Sequence, residues 1–213
     1  MPGRARVERH LLAATLEEVG PDAPTLCEGW TALDMAAHVV CRERTLRAGL
    51  GLAVPRLHAM ADLALIATKR DHTFAELVAK VAAGPRGPHP SRLRPLDDLM
   101  NGMEFFIHVE DVRRAQPGAQ PRELDAGTRD FLWRSVKLVG LVGARRAGVG
   151  LRARRTDAAA APKRLRTGEP AATIAGPAPE LLLYLSGRRD AARVEWEGDP
   201  AAIAAVQSAR LGL

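Results

Sequence analysis

The chain has 213 residues, a mass of 22.9 kDa and a formal net charge of +6 with a pI near 10.1, enough for one large domain or two small ones. Hydrophobic residues at 46% and charged residues at 26% exclude a disordered chain. Aromatics at 4% leave the core to Leu, Val and Ala, which suits helices better than a β-sandwich.

Other classes fall away on pattern. No apolar run approaches the roughly 18–20 residues of a membrane span. The short apolar stretch near the N-terminus runs straight into Glu17 and Glu18, unlike a signal peptide. Cys27 and Cys41 make no CxxC and no disulfide framework, so a reducing cytoplasm is the expected location. Dinucleotide-binding, Walker A and nucleophile-elbow patterns are missing from the sequence.

In chain order, Leu11, Leu12, Leu16 and Val19 predict a helix over 4–19, stopped by Gly20-Pro21. Thr31, with Asp34 three residues on, predicts the start of a second helix over 31–49. Residues 59–70 read as a weaker helix. The Thr73–Glu76 capping box opens another that runs to about Ala83. A proline-rich connection follows, and Pro95 launches a long helix to about Gln116. Asp125 caps one more, to about Arg146. Beyond it, 149–155, 163–167, 171–175 and the alternating segment 192–197 read as strands. Residues 179–186 and a final segment after Asp199-Pro200 read as short helices. The expected architecture is mainly α: a helical bundle over 1–146, then a small α+β domain over 147–213.

The long helix carries the chemistry. At 100° per residue, His108 lies about 40° from Glu104 on one side and Asp111 about 20° on the other. Met100, Ile107, Val112 and Ala115 share or flank this stripe, which reads as the core face. Glu110, Arg113 and Phe106 fall near the opposite side, so the helix is expected to be buried on two sides. A carboxylate on a core face is costly unless it is paired or holds a metal. Glu104 and His108, at i and i+4, both reach one cation. The plain alternative is a Glu104–His108 hydrogen-bonded pair, with Asp111 bonded to Arg114.

A third ligand must come from elsewhere, and His38 in the second helix is the best candidate among six histidines. Ala36, Ala37, Val39 and Val40 surround it in sequence, while Asp34, Arg42 and Thr45 share its face to within about 40°. That setting alone favours a satisfied core or surface histidine. Cys41 reads as an alternative ligand or, more simply, a small core residue. His10, His58, His72 and His89 sit in polar or proline-rich surroundings that point to solvent.

The segment Thr25-Leu-Cys-Glu-Gly-Trp-Thr-Ala-Leu-Asp-Met-Ala-Ala-His38, followed by Glu104-x3-His108-x2-Asp111, resembles the DinB-like metal-binding family. More narrowly it resembles the mycothiol-dependent maleylpyruvate isomerase group. Gly168–Gly176 and Glu180–Arg188 resemble the small α+β domain that follows the bundle in that group. The resemblance implies a DinB-like four-helix bundle, one zinc ion on His38, Glu104 and His108, and Asp111 orienting a ligand. It also implies an open coordination position that receives a thiol, mycothiol in the related enzymes, which zinc holds as the thiolate. The expected reaction is then a thiol transfer or thiol-assisted isomerisation of a small electrophile. Ni²⁺ or Fe²⁺ suit the same donors. Arg188 reads either as a carboxylate holder for substrate or thiol, or as a surface arginine.

Two other readings stand beside this one. A metal ion that merely ties two helices needs no catalysis. The second is a nucleic-acid-binding module. Between 145 and 170, Arg145, Arg146, Arg152, Arg154, Arg155, Lys163, Arg164 and Arg166 face only Asp157 and Glu169, a net of +6 that accounts for the whole excess of the chain. The segment attracts phosphate but lacks interleaved aromatics and any helix-turn-helix or zinc-finger spacing. It reads more simply as a solvated strand face, and equally suits an anionic cofactor at the domain junction.

Overall fold

Apolar residues at helical spacing, closed off by local caps, shape the first part of the chain. The computed structural model describes residues 3–44, 58–85 and 94–209. The chain is mainly helical with one small four-stranded mixed sheet, and divides into two compact units, Met1–Pro121 and Arg122–Leu213. Among the described residues no helix is long and apolar enough to cross a membrane.

The first unit holds α1 (Arg4–Val19), α2 (Ala32–Arg44), α3 (His58–Arg70), α4 (Phe74–Ala83) and α5 (Arg94–Arg113). Both expected capping boxes form. The Thr31 N–H donates to Asp34 Oδ2 at 3.0 Å and the Asp34 N–H to Thr31 Oγ1 at 3.4 Å. Thr73 and Glu76 make the same exchange at the start of α4. Four helices share one core: Leu12 and Leu16 of α1, Met35 and Val39 of α2, Leu77 and Val81 of α4, and Phe105 and Val109 of α5. α3 packs on α2 and is tied to it by the Lys69–Asp34 ion pair, leaving Leu63 and Ile66 exposed. Residues 45–49, expected to continue α2, lie outside the described residues, as do His89 and most of the proline-rich connection. So do the side chains of His58 and Met100. α5 gives way to a turn after Arg113, where the Gln116 N–H bonds the Arg113 carbonyl and its side chain bonds the Val112 carbonyl.

Charge is buried in this unit. Arg9 and Glu43 meet in a two-armed pair, both contacts 2.6 Å, with each side chain 5% exposed. The guanidinium lies 4.4 Å from the Phe105 ring centre and 3.8 Å from Asp97. Gly84, at φ +70°, closes α4 where a Cβ would press to 3.3 Å on that guanidinium.

The second unit begins earlier than the expected division at 146/147. Its first helix, α6 (Ala126–Ala147), belongs with the sheet rather than with the helices before it. The reason is specific contact. Arg155 of β1 (Gly150–Arg155) reaches Asp130 of α6 at 2.6 Å. Lys163 of β2 (Lys163–Arg166) donates to the Trp133 carbonyl at 2.6 Å and sits over the Trp133 ring. Gly140 lets Leu165 lie where a Cβ would otherwise stand 2.6 Å from it. Then come β3 (Ala171–Gly176), α7 (Ala178–Leu185), β4 (Glu195–Gly198) and α8 (Pro200–Ser208), the last capped by Asp199. The strand order is β2-β1-β3-β4, with β1 and β3 parallel and the outer pairs antiparallel. Leu151, Ala153, Leu165 and Ile174 are buried, whereas Arg152 and Arg164 are exposed. The strand expected over 192–197 pairs only from Glu195 to Gly198, although its alternation of exposure starts at Ala192.

Glu43→Ala removes the main partner of a buried cation. Urea unfolding should show a loss of about 3 kcal/mol; a loss under about 1 kcal/mol, the value of an exposed pair, contradicts this account of the core.

Candidate metal centre

α5 is buried on nearly every side, which goes further than two-sided burial. Phe105, Phe106, Val109 and Val112 are buried, and so are His108, Glu110 and Asp111. Glu110, read from spacing as lying away from the polar stripe, is fully enclosed and paired with Arg113 at 3.2 Å and Arg114. Arg114 bonds Glu110. Asp111 accepts from His108 Nδ1 at 3.2 Å and from the Cys27 thiol at 3.6 Å, while its carbonyl accepts the Leu26 N–H at 2.9 Å.

With Nδ1 engaged, His108 turns Nε2 toward Glu104 Oε1, 3.4 Å away. His38 comes from α2 to the same spot. Its ring centre is 5.4 Å from that of His108, edge to face, and 5.1 Å from Trp30. One ligand atom each from His38, Glu104 and His108 lies within 4.8 Å of the other two. The other Glu104 oxygen, Oε2, is held by Arg42, which also donates to Asn101 Oδ1 at 3.1 Å. Asn101 in turn donates to Asp97 at 2.7 Å. Arg42 stands one turn after His38 on the face that the sequence assigned to both, and Asn101 stands one turn before Glu104. Their spacing was visible; their role was not, because it depends on how α2 meets α5.

The donor set fits a metal ion. A tetrahedral ion with bonds of about 2.0–2.1 Å places its ligand atoms about 3.3–3.4 Å apart, close to the Glu104–His108 separation of 3.4 Å. Asp111 on Nδ1 fixes the tautomer that frees Nε2, as carboxylates do behind histidine ligands. Cys41 is buried and Cys27 faces Asp111, and neither belongs to the three-residue cluster. His10 is exposed, and His72 bonds the Thr68 carbonyl. Arg188 lies in the second unit, just beyond α7, where Nη1 donates to the Ser186 carbonyl at 2.7 Å.

Protonation follows from the same contacts. Burial, then the charge of His108, drives His38 down to about 3, so it is a neutral imidazole. For Glu104, burial opposes ionisation, but the His108 hydrogen bond and the Arg42 charge overcome it and hold the carboxyl at about 2. Burial also opposes a charged His108, yet Asp111 and Glu104 raise it above its ordinary 6.5. Below pH 6.5 the metal-free cluster is thus mainly an imidazolium held between carboxylates beside a neutral imidazole. Its contribution to stability has two edges. The part from His108 is complete below 6.5 and is lost as pH rises through its raised value; the part from Glu104 is lost only as pH falls toward about 2. Neutral His38 erodes stability as pH falls from 6.5 toward about 3.

A scan against protein-family models, a search of curated proteins and a search of solved structures each found no match to this chain.

At pH 6 only His108 carries a proton that a metal must displace. Titrating zinc calorimetrically in buffers of different ionisation enthalpy should therefore show about one proton released per ion. Two histidines of ordinary pKa would release about 1.5, and that value contradicts the assignment.

Proposed function

We propose that this chain is a DinB-like, metal-dependent enzyme of the mycothiol-dependent maleylpyruvate isomerase type. It transfers a low-molecular-weight thiol to a small electrophile, or uses the thiol to isomerise it, in the cytoplasm. The observation that carries this reading is the convergence of His38 from α2 on the Glu104–His108 pair of α5, with Asp111 behind His108. The shared core of α1, α2, α4 and α5, followed by an α+β unit, accords with a DinB-like bundle and its companion domain.

In this reading His38, Glu104 and His108 hold Zn²⁺, which supplies Lewis-acid stabilisation of an anionic nucleophile at neutral pH. Ni²⁺ and Fe²⁺ suit the same donors. The chain's own residues prepare the place. Burial keeps the His38 lone pair unprotonated, Arg42 occupies one Glu104 oxygen and leaves the other to the ion, and Asp111 takes up the His108 Nδ1 proton as a hydrogen bond. Three protein ligands leave one position for the thiol, mycothiol in the related enzymes. Arg188, in the second unit, stands either as a holder of a carboxylate or as a surface arginine. A metal-binding protein without catalysis shares the same ligands and differs only in turnover.

Zinc-loaded protein should hold about one ion per chain, lost in His108→Ala and bound about 10–100-fold more weakly in Asp111→Asn. Thiol-dependent turnover of an electrophile such as maleylpyruvate should stop with chelator and return with zinc. Equal metal in wild type and His108→Ala overturns the site. Turnover that survives metal removal overturns the mechanism, and stoichiometric metal without thiol-dependent turnover favours the non-catalytic reading.

A further inference from the structure

The basic segment that the metal site leaves unexplained resolves into pairs and a remainder. Arg155 is neutralised by Asp130 and Asp157, and Arg154 reaches Glu197 of β4. Arg152, Arg164 and Arg166 have no carboxylate within ion-pairing distance among the described residues. The β1–β2 register sets Arg152 directly opposite Arg164, an arrangement of like charges that destabilises a bare sheet. Arg166 lies two residues farther along the same strand.

These three side chains line a pocket of about 180 Å³ closed by the turn through Thr167, Gly168 and Glu169. The turn is pressed tightly against β1: a Cβ on Gly150 would meet the Gly168 carbonyl oxygen at 2.1 Å. Gly168, at φ +142°, also leaves room for the guanidinium of Arg166, whose Nη1 would stand 3.3 Å from a Cβ there. Glu169, the acid in the lining, is exposed and makes no ion pair with the three arginines.

We propose that Arg152, Arg164 and Arg166, with the Thr167–Glu169 turn, form a binding site for the phosphoryl group of a small molecule. Converging guanidinium forks match phosphate oxygens bidentately and relieve the repulsion between Arg152 and Arg164. The pocket is smaller than the roughly 300–1,000 Å³ of sites that enclose a drug-sized molecule, so it takes a phosphate or diphosphate and leaves the rest of the ligand outside. A long nucleic acid suits it less. No aromatic side chain lines the pocket. The exposed Glu195 on β4 also sets an acidic group on the far edge of the same sheet.

The test is calorimetric titration of the full-length protein with inorganic pyrophosphate at low salt. One saturable site per chain is expected, weakened about tenfold or more by Arg152→Gln or by Arg164→Gln. Arg154→Gln, which removes a paired arginine of the same face, should change affinity less than about twofold. Thermal melting without ligand should be no lower for Arg152→Gln and Arg164→Gln than for wild type, since both positions are exposed. Absence of saturable binding, or equal weakening by Arg154→Gln, overturns the site. Duplex DNA that binds through the same arginines and is not displaced by pyrophosphate overturns it in favour of a nucleic-acid surface.

Discussion

The carboxylate of Asp111 is fully enclosed, and the way it is satisfied governs what lies around it. An unpartnered buried carboxylate is costly. Asp111 avoids that cost by accepting hydrogen bonds from His108 Nδ1 and from the Cys27 thiol. That choice sets the tautomer of His108 and points its other nitrogen at Glu104, where His38 arrives from α2. The same residue's carbonyl fastens the loop at Leu26, and that loop leads to Trp30, which packs on His38. One buried acid thus orders both halves of the cluster.

Around this centre, the first unit arranges its other charges as a chain of partners. Arg42 links Glu104 to Asn101, Asn101 links to Asp97, and Asp97 lies beside the Arg9–Glu43 pair. Such a network demands close registry of α1, α2 and α5, because each member left alone would be a buried charge or an orphaned amide. It holds Glu104 at a fixed orientation, with one oxygen engaged and the other directed at His108. Under the proposed function, this fixed orientation prepares Glu104 as a ligand before the ion arrives.

Much of this was legible in the sequence. The 100° periodicity of α5 located Glu104, His108 and Asp111 on one face, and capping boxes at Thr31 and Thr73 located two helix starts. What spacing could not decide was pairing. Asp111 and Glu110 are adjacent, and only the packing around α5 assigns Arg114 to Glu110 and His108 to Asp111. Arg42 was placed near His38, but its bond to Glu104 joins two helices and has no local signature. The division into units after Pro121 has no local signature for the same reason. α6 carries an ordinary helical pattern, and the contacts that bind it to the sheet, Arg155 with Asp130 and Leu165 over Gly140, are long-range. The +6 charge lies between 145 and 170 in the sequence, yet which of Arg152, Arg154, Arg155, Arg164 and Arg166 meet a carboxylate depends on the strand register.

The central claim is that two imidazoles and one carboxylate come together to hold a single ion. X-ray absorption at the zinc edge of the zinc-loaded protein tests it most directly. The expected result is a first shell of nitrogen and oxygen at about 2.0–2.2 Å with two imidazole signatures, reduced to one in His38→Ala. A sulfur shell at about 2.3 Å, marking Cys27 or Cys41 as a ligand, or a shell without imidazole, would contradict it.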